Sequence, residues 1–280
     1  MKLTKATAKT ADQLRNKEDT MKKKLYFGSN FKMYKNIHAT EEYLQAITAA
    51  TKDIDREKVQ FFFIPSYTSL ESAGKSSVRD SFMLGAQNMC WEDEGQFTGE
   101  ISPLMLKELG LDLVMVGHSE RRHGFGESDY TENKKAKKAL DSGFTTLLCV
   151  GETAQEKEFG VSAEVLRTQL KIGLHGVAKD QIRKVWIAYE PVWSIGIGGT
   201  PAPVDYAEEM HKVIKDCLEE MFGKEGRDIL ALYGGSVNPD NSNALIVQPD
   251  IDGLFTTRTA FQVEAFAKLI RDAIAACEIL

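Results

Sequence analysis

The sequence predicts a single-domain α/β protein, a closed (β/α)8 barrel over residues 21–280, preceded by a polar tail at 1–20. Three observations predict it. Eight short apolar runs recur along the chain, separated by amphipathic helical stretches. The runs are apolar almost throughout rather than alternating, as strands buried on both faces of a parallel sheet must be. No Pro-, Gly- or Ser-rich linker interrupts the pattern, which favours one closed barrel over two open sheets; a doubly wound sheet is the alternative architecture.

In order, the strand KLYFGS (24–29) precedes the helix ATEEYLQAITAATK (39–52), and VQFFFIPS (59–66) and SFMLGAQN (81–88) follow as the second and third strands. The helical segment SPLMLKELG (102–110) leads to LDLVMVGHS (111–119), TENKKAKKALDSG (131–143) to TTLLCVGE (145–152), and SAEVLRTQLKIGL (162–174) to VWIAYEP (185–191). The long amphipathic stretch PVDYAEEMHKVIKDCLEEMF (203–222) precedes DILALYGGS (228–236), and after IDGLFTT (251–257) the chain ends on the helix FQVEAFAKLIRDAIAACEIL. The unusual polar and glycine residues cluster at the carboxyl ends of these strands. In a parallel barrel those ends form one rim, where the strand-to-helix loops build the site.

Composition excludes several function classes. A net charge of −6 with lysines and arginines spread throughout leaves no basic stripe to neutralise a nucleic-acid backbone. Cys90, Cys149, Cys217 and Cys277 are scattered, without CxxC pairs or histidines at ligand spacing, so we expect reduced thiols, no metal site and a reducing compartment, most simply the cytosol. Residues 1–20 lack an apolar core and contain Asp12, Glu18 and Asp19; they read as a disordered tail rather than a targeting signal. No apolar stretch is long enough to cross a bilayer, and a soluble protein is expected.

Three rim residues carry chemistry. Glu190 ends its strand before Pro191, which cannot donate to a central ladder and so turns the acid toward the rim; in an apolar setting such a carboxylate suits a general base near neutrality. His118, in VGHSERR, sits between a strand end and a helix start, where free N–H groups favour a neutral imidazole able to donate to a substrate oxygen. Lys32, in GSNFKMYKN, can supply a fixed positive charge. Each of these taken alone is more often structural, and the combination carries the reading. The glycines of GIGGTP fail the dinucleotide pattern, because Pro201 stands at its sixth position; they suit a lid whose N–H groups wrap an anion. Gly234 and Gly235, in YGGSV, leave N–H groups near Ser236 open to a phosphate. His38, His123, His175 and His211 are assigned to surface or packing.

In this order, GSNFKM, GAQNMCWEDEGQFTGEISPLML, VGHSERRHGFGESD, CVGET, YEPVWSIGIG and YGGSVNPDN resemble the triosephosphate isomerase family over essentially 21–280. The resemblance implies a TIM barrel, a homodimer, a small phosphorylated sugar as substrate and no metal or organic cofactor. It implies that Glu190 moves the proton between adjacent carbons, that neutral His118 polarises the carbonyl, and that Lys32 and Asn30 stabilise the enediolate, the family's known pattern. Glu120 matches an acid supporting the lysine. Pro191, Val192 and Trp193 match the start of a closing lid that Tyr233 latches, Gly196, Gly235 and Ser236 match phosphate-binding backbone, and Thr98 matches a loop that reaches a neighbouring subunit.

The pattern breaks after the last strand, where Thr257 and Arg258 replace a pair of glycines. A β-branched residue is unwelcome there if φ is positive, while the arginine can compensate by charge-assisted bonds to phosphate. Tyr34 replaces an asparagine, and Pro201 to Pro203 alter the lid exit. The arginine and the altered lid exit are similar to the L-erythrulose phosphate isomerases, a subgroup assigned to four-carbon substrates, whereas Asn30 is kept as in ordinary triosephosphate isomerases. The expected reaction is interconversion of glyceraldehyde 3-phosphate and dihydroxyacetone phosphate, with the four-carbon reaction as the alternative and a catalytically silent phosphate-binding barrel as a third reading.

Overall fold

The computed structural model describes residues 24–196 and 198–279, so the tail expected at 1–20 lies outside the described residues. Eight parallel strands close on themselves in sequence order: β1 (Leu25–Asn30), β2 (Val59–Ile64), β3 (Met83–Ala86), β4 (Leu113–Val116), β5 (Thr145–Val150), β6 (Val185–Tyr189), β7 (Leu230–Tyr233) and β8 (Gly253–Phe255). Phe27 pairs with Phe61 on one side and with Leu254 on the other, so β1 joins β8 and the open doubly wound sheet is excluded.

Two apolar layers follow from the period of two along each strand. Phe61 and Phe63 of β2 face the outer helices, whereas Phe62 and Ile64 fill the barrel interior with Leu113, Met115, Leu147 and Cys149. The Phe62 ring stacks on Phe255 at 5.4 Å and meets Trp186 edge-on at 5.6 Å. Gly28 makes room for it, since a Cβ at that position would lie 2.2 Å from the Phe62 ring.

The outer layer contains the expected helices as α1 (Ile37–Ala50), α3 (Pro103–Glu108), α5 (Asp129–Asp141), α7 (Ser162–Gly173), α8 (Val204–Phe222) and α10 (Val263–Ile279). The sequence reading left four short helices unassigned or only begun: α2 (Tyr67–Gly74), α4 (Ser119–Phe125), α6 (Ala154–Glu158) and α9 (Ser242–Ile246). These are too short for a helical period to repeat clearly. Local capping marks some of them. Thr153 and Glu156 form a reciprocal capping box that starts α6, and His118 itself caps α4.

No helix among the described residues is long and apolar enough to cross a membrane. Cys90, Cys149 and Cys217 are buried, unbridged thiols.

Candidate active site at the carboxyl rim of the barrel

The ends of β1, β4, β6, β7 and β8 surround a cleft of about 360 Å³ lined by Lys32, Glu120, Glu190, Gly196, Ser236 and Arg258, among others. Glu190 follows β6 directly; its N–H donates to the Val150 carbonyl at 2.8 Å, which fixes the acid against β5. The side chain is 5 % exposed, and Oε2 accepts no hydrogen bond among the described residues. Burial raises the proton affinity of this carboxyl above the usual range, against the opposing pull of His118 and Lys32.

His118 faces it from β4, with Nε2 3.5 Å from Glu190 Oε2. The Glu120 backbone N–H, in the first turn of α4, donates to His118 Nδ1 at 3.2 Å. With Nδ1 accepting, a ring proton lies on Nε2, which presents a donor toward the cleft. The helix start satisfies one of its free N–H groups with this same contact.

Lys32 lies on the β1 rim in the left-handed region at φ 50°, a conformation that costs a lysine some backbone strain. Its local partners hold it there. The Asn30 Oδ1 accepts the Lys32 N–H at 2.8 Å, and Gln87 Nε2 donates to the Lys32 carbonyl at 2.7 Å and to Asn30 Oδ1 at 3.2 Å. Lys32 Nζ donates to Glu120 Oε1 at 2.6 Å, in line with the supporting acid expected at that position. Gln87 is a scaffold residue that sequence reading noted at a strand end without giving it a role; its function becomes visible only when β1 and β3 are brought together.

The cleft lining also brings together Gly196, Gly235, Ser236, Thr257 and Arg258, the residues expected to meet a phosphate. Gly196 stands at φ 79°, in the left-handed region that glycine enters without strain. The role expected for Gly234 needs correction: its N–H donates to the Tyr189 carbonyl at 2.8 Å and is not open to a phosphate. Glycine is required there for another reason, because a Cβ would sit 2.7 Å from Glu190 Cγ. The concern over Thr257 also resolves, since among the described non-glycine residues only Lys32 and Lys35 have positive φ. Thr257 Oγ1 donates to the Asn30 carbonyl at 3.1 Å and ties the β8 loop to β1. Arg258 Nη2 donates to Ser236 Oγ at 3.0 Å, and the guanidinium has no ion-pair partner among the described residues.

The segment expected to act as a lid begins as a 3-10 turn over Val192–Ser194 after Pro191. The Val192 N–H donates to the Glu152 carbonyl at 2.9 Å, and Trp193 Nε1 donates to Glu152 Oε1 at 2.7 Å. Tyr189 and Tyr206 hydroxyls donate to the same buried carboxylate, and the Lys157 ammonium lies 3.4 Å from the Trp193 ring centroid. Glu152, seen in the sequence only as a polar strand end, is thus the anchor of the lid's first turn. Tyr233 is fully buried below the lid beside Ser194, with its phenol pushed up to about 12 chiefly by burial. Thr98 is the one predicted functional residue outside this constellation, in the exposed loop that follows β3.

Comparison with known proteins agrees with this geometry. The family model described as triosephosphate isomerase matches residues 25–273. An L-erythrulose-1-phosphate isomerase of Rhizobium etli is 44% identical over 256 residues, covering 91% of this chain and 94% of the relative. Triosephosphate isomerases of Acetivibrio thermocellus (40% identical, 90% of this chain and 99% of the relative) and Chlorobium phaeovibrioides (42% identical, 90% and 100%) are similar over the same extent. A closed eight-stranded barrel with an acid and a histidine facing each other on its rim, matched along nearly its whole length, makes this chain an isomerase that belongs to the triosephosphate isomerase family.

Proposed function

We propose that the protein interconverts glyceraldehyde 3-phosphate and dihydroxyacetone phosphate through an enediolate. The observation that carries this reading is the 3.5 Å approach of His118 Nε2 and Glu190 Oε2 beside a cleft that ends in Arg258 and Ser236. Glu190 takes the carbon-bound proton next to the carbonyl, and the electron pair of that bond moves into the carbon–carbon bond. His118 donates from Nε2 to the oxygen that gains charge, and Lys32 adds positive charge nearby. Glu190 then returns the proton to the former carbonyl carbon, while the hydroxyl proton on the other carbon passes by way of His118 to the former carbonyl oxygen, so that carbonyl and hydroxyl exchange places. The lid from Pro191 to Thr200 excludes water while the enediolate exists. Glu190→Gln keeps the volume and removes the base, so kcat should fall by about 10²–10⁴-fold with the circular dichroism spectrum unchanged. Full activity in that variant would overturn the assignment.

A second reading is favoured by Arg258 and by the relative named for a four-carbon ketose phosphate. A side-chain cation reaches an anion farther from the barrel wall than a glycine backbone can, which leaves room for an extra carbon. Specificity constants on the triose and tetrulose phosphates decide between the two. Arg258→Ala should raise KM for the preferred substrate about 10-fold or more, the cost of one charged hydrogen bond, with a smaller effect on kcat. We also propose a homodimer, in which the Thr98 loop meets the partner; Phe97 beside it is 41 % exposed and packs edge-on against Trp91.

A further inference from the structure

Behind His118 lies a buried charge cluster that the reaction itself does not touch. Beyond β4 the chain passes through Gly117 at φ 76° into His118. Glu132 of α5 comes up beneath this turn, fully buried, so close that a Cβ on Gly117 would lie 3.0 Å from its Cδ and Oε2. Arg122 of α4 links the parts. Its Nε donates to the Gly117 carbonyl at 2.7 Å and its Nη2 to the Cys149 carbonyl at 3.0 Å, while the guanidinium pairs with both Asp129 and Glu132.

One cation here faces two carboxylates. Asp129 is partly exposed and Glu132 is not, so Glu132 is the acid that neutralises first. Burial is the main cause that lifts it to about 7; Asp129 and Glu127 push in the same direction, and Arg122 and Lys135 oppose them. Lys135 and Arg121 are themselves held by Glu127, and the Cys149 thiol of β5, kept neutral by its burial, completes the surroundings. On the other side of the turn, His118 faces Glu120 and Glu190.

Building on the role given to His118 above, we propose that Glu132 is a positioning residue for it, acting through Arg122 and the Gly117 carbonyl. When Glu132 is neutral, the guanidinium belongs to Asp129 and to the two strand-end carbonyls, and the peptide that carries His118 is held. When Glu132 is ionised it competes with the Cys149 carbonyl for Nη2 and draws the guanidinium toward α5, which strains the Nε bond to Gly117 and shifts the imidazole relative to Glu190. Proton transfer depends steeply on such placement, whereas substrate binding at the other end of the cleft does not.

The wild-type profile of kcat against pH should therefore carry an inflection near pH 7, with turnover several-fold lower on its alkaline side than the other ionisations of the site account for. Glu132→Gln, neutral at every pH, should lose that inflection and keep KM. Superimposable profiles for the two proteins would overturn the proposal. Nuclear magnetic resonance of the substrate-free wild type tests it without turnover or substitution: the Glu132 side-chain carboxyl and the His118 backbone amide should titrate with one shared midpoint. A His118 amide that does not respond at the Glu132 midpoint overturns the proposal even if the isomerase reading stands. If Glu190→Gln kept full activity while the shared midpoint was found, the isomerase reading would fail and the coupling would survive.

Discussion

Glu190 binds its proton more tightly in the folded protein than in the unfolded chain, because burial outweighs the positive groups near it. The sign of the linkage follows. An acid whose folded value is raised leaves stability intact below the unfolded carboxylate range, and stability then falls as pH rises through the folded value. Glu190→Gln has no proton to lose, so its stability relative to the wild type should be greater at pH 8 than at pH 5. Urea denaturation midpoints at the two pH values check this, and an equal difference at both would mean that Glu190 is not strained by its surroundings. Gly234 belongs to the same account. The space it leaves for Glu190 Cγ gives this glycine a packing role beside the acid, in place of the anion contact expected from the sequence.

At the scale of elements, the two ends of the barrel divide the work. The carboxyl ends of the strands hold the site, and the opposite end holds closure. There Lys215 of α8, buried with Asp252 before β8, donates to that carboxylate at 2.6 Å and to the Ile229 carbonyl at 2.6 Å, while Asp252 also accepts the Ala231 N–H at 2.7 Å. Lys215→Met removes one partner of a buried pair and should cost about 3–5 kcal/mol, seen as a lower denaturation midpoint, with kcat of the folded protein unchanged. The elements were mostly legible beforehand because strands buried on both faces leave continuous apolar runs, as in TTLLCV of β5. Helices α2 and α9 were not, because eight and five residues give a helical period too little length to show. The site was legible where one residue carries the proposed chemistry by itself, as with Glu190, His118 and Lys32, which the fold brings to one rim. It was illegible where the role lies in a contact between distant segments: Gln87 gripping the Lys32 loop, Glu152 collecting Trp193 and Tyr206, and Glu132 under Gly117.

For the whole molecule, the remaining question is what covers the apolar side chains next to the site. Met33 is 96 % exposed, directly after Lys32, and Phe97 stands out on the loop that carries Thr98. An exposed methionine beside a lysine already strained at φ 50° is a costly arrangement for an isolated chain, because the apolar side chain meets water where the backbone is least relaxed. A second copy packed on Met33 and the Thr98 loop would bury both and restrain Lys32 from outside, so that association and turnover are linked. Met33→Glu puts a charge into that contact while leaving the barrel core untouched, and the expected result is a monomer by sedimentation velocity at concentrations where the wild type is a dimer. The linkage adds a second expectation. At dilutions where the wild type dissociates its specific activity should fall, and Met33→Glu should have that lower activity at every concentration. Wild-type activity per chain that stays constant across dissociation would show that Lys32 is held by Asn30, Gln87 and Glu120 alone.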